Sequence, residues 1–203
     1  MKLTRALLLI ILFTVILSGC STSKVSYSAP VYNTLLNSLD KSESSNSFIL
    51  IGDTQRTGWL ESTFLFRESN DSVQFELFQA ISELEKEPAF ILHLGDMVFD
   101  GADEGDWIYF DNSTLPVRSM SIPIVPVLGN HEYFGNAQSS MLNISSRFTE
   151  LKDSTWRSFK FKNVGFILLN SNTELSEQMN KRQNKWYTNE LDRLDQDNEI
   201  KHI

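Results

Sequence analysis

Residues 89–96 read AFILHLGD, and residues 47–53 read SFILIGD. Each is a short apolar run that closes on Gly-Asp, the pattern of a buried strand delivering a carboxylate into a loop. Between the two runs, Val73, Leu77, Ala80, Ile81 and Leu84 recur at helical spacing and predict an amphipathic helix over 72–87. Asp71 stands where it can cap the start, and Pro88 forbids continuation. Strand, helix and strand in this order make a βαβ unit, whose two strands lie parallel.

Working outward, the eighteen residues 54–71 are long for a plain connection and predict a rim around a site. The segment 103–115 is mixed and polar, and is expected to be helical in part. SIPIVPVLGN (121–130) supplies a third strand, whose prolines suit an edge or a strand end. WRSFKFKNVGFILLNS (156–171) alternates as two strands joined at Lys162-Asn163, a hairpin that adds antiparallel strands. RQNKWYTNELDRLD (182–195) sets Trp186, Tyr187, Leu191 and Leu194 at helical spacing, a core-facing stripe. The final IKHI opens another strand, so the domain is expected to be incomplete at its C-terminal side.

The first twenty residues, MKLTRALLLIILFTVILSGC, have a basic start, an apolar stretch from Ala6 to Leu17 and small residues before the single cysteine, Cys20. This is the layout of an export signal. The stretch falls short of the roughly 20 apolar residues that a bilayer-spanning helix needs. LSGC resembles the bacterial lipoprotein signal, in which the cysteine is acylated and becomes the new N-terminus. A lone cysteine in an exported chain has no disulfide partner, and acylation gives it a role. The expected organisation is a signal peptide at 1–19, an acylated Cys20 and Ser-rich tether at 20–46, and one folded domain at 47–203. The protein is thereby expected in the bacterial cell envelope, held to a membrane by its lipid.

The 203 residues carry a formal net charge of −8. A surface so acidic is unsuited to gripping a nucleic acid, which requires clustered Lys and Arg, so no stable nucleic-acid partner is expected. Composition leaves the oligomeric state open.

Three strands now end in Asp53, Asp96 and Asn130, with Gln55 two residues beyond the first. In an open α/β sheet, ligands sit outside the carboxyl ends of the strands, where all of these would meet. Converging carboxylates repel unless a cation or proton lies between them, and oxygen-rich sets suit hard or borderline divalent metals.

The order Asp-x-Gln (53–55), Gly-Asp (95–96) and Gly-Asn-His-Glu (129–132), each closing a strand, resembles the calcineurin-like metallophosphoesterases. The resemblance implies a layered β-sandwich flanked by helices, an α/β fold with a mixed sheet and a βαβ start. It implies two divalent metal ions, with Asp53 and Gln55 on the first, Asp96 bridging both and Asn130 on the second. His131 then faces the substrate phosphate as the catalytic residue, and Glu132 orients it. Two such ions about 3.5 to 4 Å apart activate water and steady the phosphoryl charge. The implied activity is hydrolysis of a phosphate monoester or diester.

Two departures from the family pattern stand out. Gln55 replaces the usual histidine, which favours manganese, magnesium or iron over zinc. The later histidines of the family have no counterpart here, since only His93, His131 and His202 are present. His93, mid-strand, reads as a packed histidine, and His202 as part of the last strand. Asp100 reads as a loop carboxylate behind Asp96, and Arg56 as a surface residue. The chain alone is therefore expected to turn over little. The competing expectation is a binding lipoprotein that keeps the fold without the chemistry.

Overall fold

The computed structural model describes residues 27–32, 45–66, 68–70, 72–172, 174 and 176–203. The signal peptide, Cys20 and the Asp71 cap lie outside the described residues.

Strands β1 (Ile49–Ile51), β2 (Ile91–His93) and β3 (Ile124–Pro126) form a parallel sheet in the order β1-β2-β3. The βαβ unit is thus as expected, and the proline-bearing strand lies at an edge, where a missing N–H is tolerated. Two helices precede β2: α1 (Trp59–Phe64) interrupts the long loop, and α2 (Val73–Ser82) is the predicted amphipathic helix. Helix α2 stops at Ser82 rather than Glu87, and Leu84 is left exposed. Glu83, Glu85 and Glu87 would set negative charge against the negative end of the helix dipole, so the last turn gains nothing by forming.

Helix α3 (Glu104–Ser113) starts at Asp103, whose side chain caps Gly105 N. The short α4 (Leu115–Ser119) follows with Pro116 in its first turn, and α5 (Ala137–Arg147) is capped by Asn136. Strands β4 (Arg157–Phe161) and β5 (Val164–Leu168) pair antiparallel around Lys162, as the alternation predicts. They make their own two-stranded sheet instead of extending the parallel one. Helix α6 (Glu177–Asp195) begins five residues before the predicted segment 182–195. Of that stripe Leu194 is buried and Tyr187 is exposed.

Alternation along the parallel strands divides the core. Ile91 and Ile124 face a cluster built with Phe78, Ile81, Trp107, Phe110, Val117, Ile144 and Phe148 from the helices. Leu92 and Val125 face the other way, against Phe159, Phe161 and Leu168 of the hairpin, with Phe90 stacked edge-on to Phe159 and Phe161. Burying one Phe or Leu side chain stabilises by about 1.5–3 kcal/mol, so these two faces hold the layers together. The sheet therefore sits between a helical layer and a β layer.

The segment 27–32, which composition assigns to the tether, lies against the domain. Tyr32 is buried, its backbone N–H bonds to Arg147 O at 2.8 Å, and its ring packs on Phe110 and Phe148. Its hydroxyl and that of Tyr27 both donate to the carboxylate of Asp111, at 2.9 and 2.8 Å. Asp111 also pairs with the fully buried Arg147 at 2.8 Å. No helix among the described residues is long and apolar enough to cross a membrane.

Candidate active site at the carboxyl edge of the parallel sheet

Ile51, His93 and Pro126 stand side by side in the parallel register. Asp53, Asp96 and Asn130 follow that row by two, three and four residues. The backbones stay zipped as they leave the sheet. Leu94 N bonds to Ile51 O at 2.7 Å, Asp53 N to Gly95 O at 3.0 Å, Gln55 N to Asp96 O at 3.1 Å and Val127 N to His93 O at 2.7 Å. The structure thus brings Asp53, Gln55, Asp96, Asn130 and His131 to one edge of the fold.

Asp96, on the loop after β2, is tied to both of the other two loops. Its carbonyl accepts from Gln55, its N–H donates to Glu132, and its Oδ1 accepts from His131 N at 3.0 Å. Asp53 and Asp96 both adopt left-handed backbone at φ 54. Such a conformation costs on the order of 1–3 kcal/mol for a residue with a Cβ and persists where surroundings impose it, characteristically at functional sites. Gly95 (φ 108) permits the turn before Asp96. Gly129 has to lack a side chain, because a Cβ there would overlap the Asp96 carboxylate and its backbone nitrogen.

Glu132 does something other than orient His131. Its carboxylate is fully buried and accepts from Asp96 N at 2.9 Å, Met97 N at 2.7 Å, Val98 N at 3.4 Å and Gly129 N at 2.7 Å. One side chain therefore clamps the loop after β2 to the loop after β3. Burial pushes its pKa up to about 6, against the opposing pull of the backbone donors.

His131 takes its orientation from Phe99. Its Nδ1 lies 2.6 Å from Phe99 O, and a carbonyl only accepts, so Nδ1 carries the proton and Nε2 is left for other work. The imidazole is flanked by the rings of Phe99 and Phe134, at centroid distances of 5.2 and 4.4 Å.

His93 is fully buried, as expected of a packed histidine. Gly95 N–H donates to its Nδ1 at 3.3 Å, so Nε2 carries the proton and donates to Thr54 Oγ1 at 2.9 Å. Gln74 of α2 donates to the same Thr54 oxygen and to Met97 O, both at 2.9 Å. This network fixes Thr54, the residue between Asp53 and Gln55, against the strand that leads to Asp96. Desolvation drives the His93 pKa down to about 3.

Beside the site lies a cleft of about 630 Å³, lined by Arg56, Gly58, Ser62 and Ser69 of the long loop after β1 and by Phe99, Asp100, Asp103 and Asp106. The long loop after β1 thus forms a rim. Arg56 is more than a surface residue, since it pairs with Asp106 at 2.8 Å and lies 4.4 Å above the Tyr109 ring. Asp100 shapes its loop by accepting from Ala102 N at 2.9 Å. His202 sits far along the hairpin side, bridged to Val164 and exposed.

Among the described residues no group of three or more His, Cys, Asp and Glu could hold a metal ion. A donor set at this edge consequently needs the amide oxygens of Gln55 and Asn130 beside the two carboxylates. Gln55 Oε1 is buried and accepts no hydrogen bond. A buried acceptor without a donor is costly, and a cation would satisfy it. The residues present therefore fit hard divalent ions. Glu132 is read from the sequence as a site residue but in another role, whereas Thr54, Gln74 and the Phe99 carbonyl were not legible as parts of the site, because nothing in their local sequence signals that they point inward.

A comparison with curated proteins finds no match to the sequence. Among solved structures, purple acid phosphatase PPD1 from yellow lupin (Lupinus luteus) seeds is similar at 18% identity and a TM-score of 0.41, over 62% of this chain. The chain spans 24% of the length of that protein. The profile of the calcineurin-like phosphoesterases matches residues 47–202, which takes in every strand and the whole carboxyl edge. The chain belongs to the calcineurin-like phosphoesterase family.

Proposed function

We propose that the protein is a metal-dependent phosphoesterase, hydrolysing a phosphate monoester or diester at a two-metal site on the carboxyl edge of the sheet. The single observation that carries the reading is the pair of left-handed aspartates, Asp53 and Asp96, hydrogen-bonded into adjacent loops beside the unpaired Gln55 oxygen. In it Asp53 and Gln55 would hold the first ion, Asn130 the second, and Asp96 would serve both. A bound pair of divalent ions supplies water activation near neutral pH and stabilisation of negative charge. The oxygen donors favour manganese, magnesium or iron.

His131 is the catalytic residue of this reading. With Nδ1–H engaged by Phe99 O, its Nε2 donates to the leaving oxygen when the ring is protonated and accepts a proton when it is neutral. The Asp96 carboxylate, by accepting from His131 N, keeps the imidazole at a fixed reach from the bridging position. The Glu132 clamp holds both loops against the repulsion between converging carboxylates. Export and acylation at Cys20 place this chemistry at a membrane surface of the cell envelope.

The test is hydrolysis of p-nitrophenyl phosphate and its bis ester by the complete reading frame, with Mn²⁺ added and then removed by chelation. Metal-dependent turnover that falls roughly 10²–10⁴-fold in His131→Ala supports the reading. Turnover indifferent to the chelator and to His131→Ala contradicts it.

A further inference from the structure

The cleft beside the site reaches the candidate catalytic histidine through one residue. Phe99 lines the cleft, its ring lies 5.2 Å from the His131 imidazole, and its carbonyl accepts from His131 Nδ1. The same ring lies so close to Gly58 that a Cβ there would overlap it at 2.4 Å. Gly58 also lines the cleft, so the chain gives up a side chain where the Phe99 ring has to sit.

At about 630 Å³ the space is in the range that holds a small organic molecule, far more than a phosphoryl group fills. It is also built in advance. Asn70 accepts from Thr57 N at 2.6 Å and donates to Gln55 O at 2.9 Å, which fixes the loop on either side of Arg56. The Arg56 guanidinium pairs with one oxygen of Asp106, whose other oxygen accepts from Asp100 N at 3.0 Å. The loop after β1, the loop after β2 and α3 are thereby tied together. Among the described residues that line the cleft Arg56 is the one cation, and Asp106 neutralises it. Asp100 and Asp103 accept from the backbone N–H groups of Ala102 and Gly105, which leaves their negative charge in place.

We propose that this cleft receives the alcohol portion of the phosphate ester, and that the substrate is the ester of an uncharged or cationic alcohol with an apolar face, not of an alcohol that carries a second anion. The inference rests on the reading of this edge as a phosphoesterase site. Water adds to phosphorus, the bond from phosphorus to the alcohol oxygen breaks, and that oxygen takes a proton from His131 Nε2. The alcohol therefore departs beside the histidine, where Phe99 and the cleft stand. The Phe99 ring offers it an apolar surface, and the Asp100 and Asp103 carboxylates repel a further negative charge.

The experiment measures kcat/KM of the complete reading frame with Mn²⁺ on methyl phosphate and on three benzyl phosphates, whose para group is trimethylammoniomethyl, hydroxymethyl or carboxymethyl. The benzyl esters differ in charge far from the reacting oxygen, so their intrinsic reactivity is matched. We expect the ammonium and hydroxymethyl esters to exceed methyl phosphate by at least about tenfold, and the carboxylate ester to fall about tenfold below them. Phe99→Ala keeps the carbonyl that holds His131 and lowers the benzyl-to-methyl ratio by about tenfold, whereas a role confined to placing His131 would lower both esters alike. In the double variant Asp100→Asn, Asp103→Asn, the amide oxygens still accept the two backbone bonds, and the carboxylate ester recovers to within about threefold of the ammonium ester. Three results overturn the inference while leaving the phosphoesterase reading intact: metal-dependent turnover with equal kcat/KM on all four esters, a carboxylate ester as fast as the ammonium ester, or a benzyl-to-methyl ratio that Phe99→Ala leaves unchanged. No metal-dependent turnover of any ester overturns that reading and the inference with it.

Discussion

The buried carboxylate of Glu132 accepts the backbone N–H of Asp96 at 2.9 Å through the oxygen that also holds Gly129 N at 2.7 Å. The loop that carries Asp96 and the loop that carries Asn130 are therefore one mechanical unit. The loop after β2 has no regular structure of its own at this point and the loop after β3 has only the 3-10 turn His131–Tyr133, so the clamp does the work that a ladder does inside the sheet.

Replacing Glu132 by Gln presents an N–H₂ to donors that need acceptors. Unsatisfied buried groups each cost on the order of 1–3 kcal/mol. We expect Glu132→Gln to lose roughly 3 kcal/mol in urea unfolding and to weaken Mn²⁺ binding measured by calorimetry. An unchanged unfolding midpoint would show that the four contacts carry no net stability.

His93 sets a pH limit on the fold. Its folded pKa is about 3, below the ordinary value of about 6.5, so between those values the unfolded chain binds the extra proton. The stability held by the neutral ring is complete above about pH 6.5 and is lost progressively as pH falls toward 3. At about 1.4 kcal/mol per unit, wild type loses roughly 2 kcal/mol between pH 6.5 and 5 from this group alone. His93→Gln is destabilised at pH 7.5 but has a flatter acid limb in unfolding titrations. Parallel limbs for the two proteins would contradict the assignment of a buried neutral imidazole.

Asp111 ties the N-terminal segment to the core. It meets Arg147 at 2.8 Å with both side chains buried, and it accepts from Tyr27 and Tyr32. Breaking a buried pair leaves an uncompensated charge and costs about 3–5 kcal/mol. Asp111→Ala should lose about that much in unfolding experiments and should release residues 27–32, seen as exchange there faster by about tenfold or more. Slow exchange at 27–32 in the variant would mean that Phe110 and Phe148 hold Tyr32 without the hydrogen bonds.

Much of this arrangement is legible in the sequence, for physical reasons. AFILHLGD names its strand because β2, buried on both faces, demands a continuous apolar run, SFILIGD repeats the pattern in β1 although Leu50 there stays exposed, and Gly-Asp at both ends marks where the chain leaves the core. The clamping role of Glu132 is opaque because three of its four partners are 34–36 residues away and a carboxylate's default place is in water. Tyr32 is opaque too, for it sits in a stretch without periodicity and reaches a partner 79 residues on. The hairpin's alternation shows two strands, but not that they would stack as a layer of their own. That outcome is decided by Phe90, Phe159 and Phe161 meeting across the sheets.

The account turns on whether the oxygens at this edge hold a pair of ions through Asp96. The most direct measurement is the Mn²⁺ stoichiometry of the complete reading frame by calorimetry with elemental analysis, for wild type, Asp96→Asn and Asp53→Asn. We expect two ions per chain in wild type, neither retained in Asp96→Asn, and the first ion lost but the second still bound in Asp53→Asn. Two ions bound with equal affinity in wild type and Asp96→Asn would contradict it.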